Sequence, residues 1–234
     1  MKNLKSKIAT WALVLCSVVS CMFMLTACGN NDTPDDNTPD VTTVTYTVAD
    51  EQAWNEVLTG DYLKNGTVNM DGKCYSNGEL VPEESLTQIM KSTSQSMYMT
   101  YAYNDGEAQE QFLVNEEGTW YGLTKVGDIW YGMPQGDAAV ESYTFAGSQG
   151  KFYVDRFEEF EYDEANHCYV ANDFVVDEES AEYVKIYIED GKLAKIEMKG
   201  NIDETTYMIA ESVFSNYGTT TIAVPEWTPA PEQE

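Results

Sequence analysis

The chain has 234 residues, with 40 Asp and Glu against 13 Lys and Arg, a net charge of −27. So acidic a surface repels nucleic acid and anionic headgroups, and with one arginine, Arg156, there is no phosphate-reading patch. Nucleic-acid binding is excluded.

Lys2, Lys5 and Lys7 precede an apolar run over residues 8–27, interrupted only by a few Ser and Thr. A basic start, an apolar stretch and small residues before a cut make a secretory signal. Leu25-Thr26-Ala27-Cys28 closes it and resembles the lipobox of bacterial lipoproteins. The resemblance implies cleavage before Cys28 and a thioether-linked diacylglycerol on its sulfur, usually with a third chain on the new amino terminus. Two acyl chains anchor stably where one does not. The expectation is a protein held on the extracytoplasmic face of a cell membrane by Cys28. The alternative is an uncleaved membrane-spanning anchor, since about 20 apolar residues can cross a bilayer.

Cleavage changes the counts. Three lysines leave with the leader, so ten basic residues face 40 acids and the mature net charge is −30. Of five cysteines, Cys74 and Cys168 remain free to pair. A Cys74–Cys168 bridge in an oxidising compartment would stabilise the fold by roughly 4–5 kcal/mol. Two separate buried thiols are the other reading.

Residues 28–43 hold GNNDTPDDNTPDV after the lipid site, a polar, charged, Pro-bearing run that reads as a disordered tether. Its Gly29–Val41 part reaches about 40 Å extended or about 20 Å as a coil. No calcium-loop spacing is present in it. The folded domain is expected over 44–225, with a disordered tail over 226–234.

Asp50 is placed to cap a short helix with Glu51 in its first turn, Ala53, Trp54, Val57 and Leu58 on one face, and Gly60 as its stop. A strand follows over 62–75. Pro82 suggests a second helix, with Glu83 and Glu84 in its first turn and Leu86, Ile89 and Met90 on its apolar face. From Ser96 the period becomes two, the mark of strands. Met97, Met99, Tyr101 and Tyr103 share a face before an Asn104-Asp105-Gly106 turn, and the meander continues over 111–115. A local duplication follows, Thr119-Trp120-Tyr121-Gly122-Leu123 and Ile129-Trp130-Tyr131-Gly132-Met133, joined by a loop with Gly127. Both faces of this hairpin carry aromatics, so it is covered on both sides or lines a cavity.

Residues 137–157 read as irregular with some helix. Residues 158–162 and 168–171 pair across a turn that holds His167. Residues 183–188 and 193–198 make the clearest hairpin, turned at Asp190-Gly191, with Val184, Ile186 and Ile188 on one face. Residues 205–214 and 219–224 complete the strands about Asn216-Tyr217-Gly218. The sum is a mainly β (α+β) fold: nine to eleven antiparallel strands in one curved sheet over one to three short helices.

No nucleophile elbow, Walker loop or zinc-binding pattern is present, and His167 alone cannot build a metal site. Arg156 reads as a surface cation unless it is buried against an anion. The acids Glu158, Glu159, Glu161, Asp163 and Glu164 would suit a glycoside hydrolase only if two faced one cleft. The chain is expected to be no enzyme and to use no cofactor or metal. The remaining signal is Met97, Met99, Tyr101, Trp120, Tyr121, Trp130, Tyr131 and Met133, because methionine and aromatic surfaces adapt to apolar ligands. Ordinary core packing accounts for them too.

The lipobox, acidic tether, Trp-bearing first helix, long meander and closing Phe214-Ser215-Asn216-Tyr217-Gly218 to Val224-Pro225 segment resemble the LolA/LolB-like lipoprotein-carrier superfamily, the LppX and LprG type included. The chain differs from that group in its acidity, its single arginine and the segment 76–91. The resemblance implies an open half-barrel with helices on its concave face, and a lipid or other apolar ligand held between them by a monomer. The alternative function is a cell-surface interaction protein that binds a protein or glycan.

Overall fold

A computed structural model describes residues 44–103, 108–136, 152–176 and 179–230. The leader, Cys28, the tether, the 104–106 turn and most of the 137–157 stretch lie outside the described residues. Among the described residues no helix is long and apolar enough to cross a membrane.

Among the described residues thirteen strands form one sheet: β1 (Gly66–Ser76), β2 (Glu79–Leu80), β3 (Leu86–Ser92), β4 (Ser96–Tyr103), β5 (Gln109–Glu116), β6 (Thr119–Val126), β7 (Ile129–Gln135), β8 (Glu161–Asp163), β9 (Cys168–Val176), β10 (Glu179–Glu189), β11 (Lys192–Asn201), β12 (Thr206–Ser215) and β13 (Trp227–Pro229). Their order is β13-β7-β6-β5-β4-β3-β1-β12-β11-β10-β9-β8, with β2 on β1. Every pairing is antiparallel except β13 on β7, which is parallel. The sheet does not close. It is an open half-barrel whose two edge strands, β8 and β13, have three residues each and leave little unpaired backbone exposed.

The helix α1 (Glu51–Thr59) lies on what we call the inner face. The Asp50 carboxylate caps it by accepting from the Ala53 N–H at 2.9 Å, and Trp54, Val57 and Leu58 are buried. Gly60 follows because a Cβ there would lie 2.5 Å from the Glu56 carbonyl oxygen. Trp54 is 0% exposed, donates its indole N–H to the Tyr153 carbonyl at 2.9 Å, and packs on Phe157, Phe160 and Tyr169. Under it, Ala171, Val184, Ile186, Ile196 and Met198 supply the inner face of β9 to β11. Apolar and aromatic side chains bury this part of the inner face beneath α1. The outer face there carries an ion-pair ladder instead, Lys185–Glu197–Lys195–Glu211, with lysines laid over Tyr183, Tyr187 and Tyr207.

Four expectations are corrected. Pro82 opens a 3-10 turn of three residues (Pro82–Glu84), and the segment after it is strand β3. Leu86, Gln88, Met90 and Ser92 alternate as buried positions there, a period of two that outranks the helical spacing of Leu86, Ile89 and Met90. Residues 219–224 form no strand. The chain does not end its fold at Pro225 either, since Trp227–Pro229 pairs with β7. Finally, Cys74 and Cys168 are both free and buried. Cys74 pairs with Met208 on the inner face; Cys168 lies next to inner-facing Tyr169 and so faces outward. The strands β12, β11 and β10 separate them, about 19 Å at ordinary strand spacing, well beyond disulfide reach.

Candidate functional site

The register sorts the side chains of β3 to β7 between two faces. Met90 pairs with Met99, Met97 with Leu113, and Gly122 with both Leu113 and Met133. All of these stand on the inner face beyond the reach of α1. They border an open cleft of about 190 Å³, lined by Met90, Met97, Met99, Leu113 and Met133 together with Gln111, Thr124 and Gln135. Gly122 lies in its floor, with Gln135 folded over the space where a side chain would be.

The aromatic and methionine residues singled out in the sequence divide accordingly. Met97, Met99 and Met133 line the cleft. Tyr101, Trp120 and Tyr131 are on the same face but outside it: Tyr101 donates its hydroxyl to Gln109 Oε1 at 2.5 Å, and Trp120 is buried opposite Gln135. Tyr121 and Trp130 point to the outer face. There they join Tyr98, Phe112, Leu123 and the C-terminal Trp227 in a self-packed cluster, with Phe112 to Trp130 at 5.2 Å and Tyr121 to Trp227 at 4.9 Å. Among the described residues the hairpin is covered on its outer side, while on its inner side Trp120 is buried and Met133 borders the cleft.

Sequence reasoning missed Met90, Leu113 and the three polar lining residues. Met90 was hidden by the helical reading of its segment. Leu113 sits in the expected meander, two residues from Gln111, and the alternation there was the available signal.

The lining is electrically quiet. Of 13 residues at the cleft none is acidic, in a chain with 40 acids. Its one cation, Lys91, pairs with Tyr98 on the outer side and holds its ammonium 6.0 Å from that ring. Carboxylates that would make water or cations preferred occupants are therefore kept off this face. Met and Leu side chains adapt their shape to an apolar guest.

Among the described residues three buried polar atoms have no hydrogen-bond partner: Gln88 Oε1, Ser92 Oγ and Tyr153 Oη. Gln88 and Ser92 flank Met90 on the inner face of β3, while Tyr153 lies in the filled half beside Phe174.

A comparison with protein-family profiles finds no match, and no curated protein matches by sequence. Among solved structures the chain is similar to a LolA superfamily protein from Nitrosomonas europaea, at 7% identity and a TM-score of 0.25, over 70% of this chain and 89% of that one. What the cleft can hold follows from its own lining.

The chemistry-bearing residues elsewhere are engaged in structure. Arg156 clamps Glu159 through two 2.6 Å hydrogen bonds, donates to the Phe152 and Val175 carbonyls, and lies 3.7 Å over the Phe174 ring. Its hydrogen bonds hold the Glu159 carboxyl below the usual range. His167, at a left-handed turn position, stacks on Tyr46 at 4.6 Å and meets the Tyr162 hydroxyl at 3.3 Å. Asp163 closes that turn by accepting from the Ala165 and Asn166 N–H groups. No group of three His, Cys, Asp or Glu is placed to hold a metal among the described residues.

Proposed function

We propose that the protein is a lipid-anchored extracytoplasmic lipoprotein that binds a lipid or other apolar ligand in the inner-face cleft. The observation that carries this is the methionine-lined opening over β3 to β7, beside the part of the same face buried under α1. A core that served stability alone would have closed over these side chains, because interiors pack to the density of organic crystals. The volume falls below the roughly 300–1,000 Å³ of drug-sized sites, so it suits one acyl chain or one small ring system. The lipobox at Cys28 and the tether after it support delivery of that cleft to a membrane surface.

The filled half alone would suit a rigid platform for a protein or glycan; the open half favours a small guest. Uptake of an apolar fluorescent dye by the full chain, displaced by a single-chain amphiphile, is the expected result. No dye uptake, with no ligand co-purifying in native mass spectrometry, would remove the proposal. Incorporation of a fatty-acid label should be lost on Cys28→Ala, and label retained in that variant would move the anchor elsewhere.

A further inference from the structure

The ladder between β5 and β6 stops short of the strands it joins. Its last pair is Phe112 with Leu123, although β5 begins at Gln109 and β6 runs on to Val126. Each strand keeps its other partner there: Gln109, Glu110 and Gln111 stay paired with β4, and Thr124, Lys125 and Val126 with β7. The sheet therefore forks, and it forks at the cleft, whose lining takes Gln111, Phe112 and Leu113 from one strand and Gly122, Leu123 and Thr124 from the other. The fork also explains why Phe112 and Leu123, which face outward, border an inner-face opening.

The register says which backbone groups the fork leaves over. The hairpin closes on Glu116 and Thr119 about a two-residue turn, so every second pair from there exchanges both N–H to C=O bonds: Glu116 with Thr119, Val114 with Tyr121, Phe112 with Leu123. Glu110 with Lys125 would be the next. Among the described residues that pair is not made, so the N–H and C=O of both residues face the fork without a strand partner. Their charged side chains are engaged on the outer face: the Tyr98 hydroxyl donates to Glu110 Oε1 at 2.9 Å, and the Lys125 ammonium lies 5.9 Å from the Trp130 ring. What reaches the fork from the cleft is neutral, the Gln111 amide and the Thr124 hydroxyl, both exposed.

Resting on the ligand-binding reading above, we propose that this fork is the polar subsite of the cleft, and that it takes an uncharged head offering both a hydrogen-bond donor and an acceptor, such as a carboxamide. Such a head meets the unpaired N–H and C=O groups as the missing strand pair would, with Gln111 and Thr124 completing its hydrogen bonds. The apolar chain lies over Met97, Met99 and Met133. An ester head can only accept. A carboxylate brings no donor and finds no cation, because Lys91 and Lys125 are both turned to the outer face.

The test loads the full chain with the neutral dye N-phenyl-1-naphthylamine and displaces it with decanamide, methyl decanoate or decanoate. Decanamide should act at a concentration at least about tenfold below the methyl ester, since a site arranged to hydrogen-bond a donor rejects the analogue lacking it. Decanoate should be the weakest. The double variant Gln111→Leu with Thr124→Val should narrow the gap between amide and ester by at least about threefold, the worth of one ordinary hydrogen bond, and leave the ester's own potency unchanged. Hydrogen exchange on the wild type reads the fork directly. The Glu110 and Lys125 amides should exchange at least about tenfold faster than those of Phe112 and Leu123, and should slow when decanamide is added. Equal protection at all four without ligand would show that the ladder continues, and would overturn the inference. So would equal potency of amide and ester with dye uptake intact, which would leave the fork to water. Absence of any dye uptake removes the binding reading, and this inference with it.

Discussion

Gly132 decides how the chain ends. A Cβ at that position would lie 2.3 Å from Trp227 Cζ3, so the indole seats only over bare backbone. Above it the Ala230 N–H donates to the Gly132 carbonyl at 2.9 Å, and the parallel pairing of β13 with β7 follows from the two contacts. Gly132→Ala should therefore expel Trp227 and release β13 while the remaining strands keep their pairing. Native-state hydrogen exchange gives the measure: Ala230 should lose protection and β10 to β12 should keep theirs. The stability lost should be about 1–2 kcal/mol, the worth of partly uncovering one large side chain. Unchanged protection at Ala230 would mean that the tail is held some other way. None of this was visible beforehand, because Pro225, Pro229 and Pro231 punctuate the segment as a tail and one Trp among them looks incidental. The cysteines teach a related limit. Their number suited a bridge, but strand parity put them on opposite faces, and the parity of a strand depends on a register set by the whole sheet. Burial and the nearby Glu84 push the Cys74 thiol up to about 11, so it is inert as a nucleophile.

At the scale of elements, α1 shows local rules agreeing with tertiary packing. The Asp50 cap, Glu51 in the first turn and a buried Trp54-Val57-Leu58 stripe all specify the same nine residues. Removing the cap should cost about 1 kcal/mol, so Asp50→Ala should lower the melting temperature by about 2–4 °C in a domain of this size. A thermal scan checks it, and no shift would place the helix's stability wholly in Trp54 and its neighbours. The strands were legible wherever one face is buried and the other wet, as in β10 and β11, where the alternation put Val184, Ile186 and Ile188 on one face and all three are buried. It failed at β3, where Leu86, Ile89 and Met90 satisfy helical spacing as well and the inward positions include polar Gln88 and Ser92. Polar groups on a buried face blur a period-two pattern, and they did so at the candidate site. The methionines of β4 were readable as one face; which of the aromatics in β6 and β7 turned outward was not, since that depends on Trp227 arriving from a distant part of the chain.

The whole molecule is one sheet in two regimes. Over β9 to β12 the inner face is sealed by α1 and its aromatics, and the outer face is tied by lysine–carboxylate pairs. Over β4 to β7 the outer face is covered by aromatics and the inner face holds the cleft. The sealed half supplies stability independently of the guest, which lets the open half remain underpacked. If that division holds, filling the cleft should cost binding and not folding. Met99 is half-buried on the cleft wall opposite Met90, and a larger side chain there has empty space to enter, unlike in a close-packed core where added volume forces strain. Met99→Trp should keep the melting temperature of the ligand-free protein or raise it slightly. A ligand at about a hundred times its dissociation constant should stabilise the wild type by about 2.7 kcal/mol. The same concentration should leave Met99→Trp unmoved. A variant that melts several degrees lower without ligand would show that the space is packing already in use. Ligand stabilisation that persists in a folded Met99→Trp would place the guest elsewhere on the molecule.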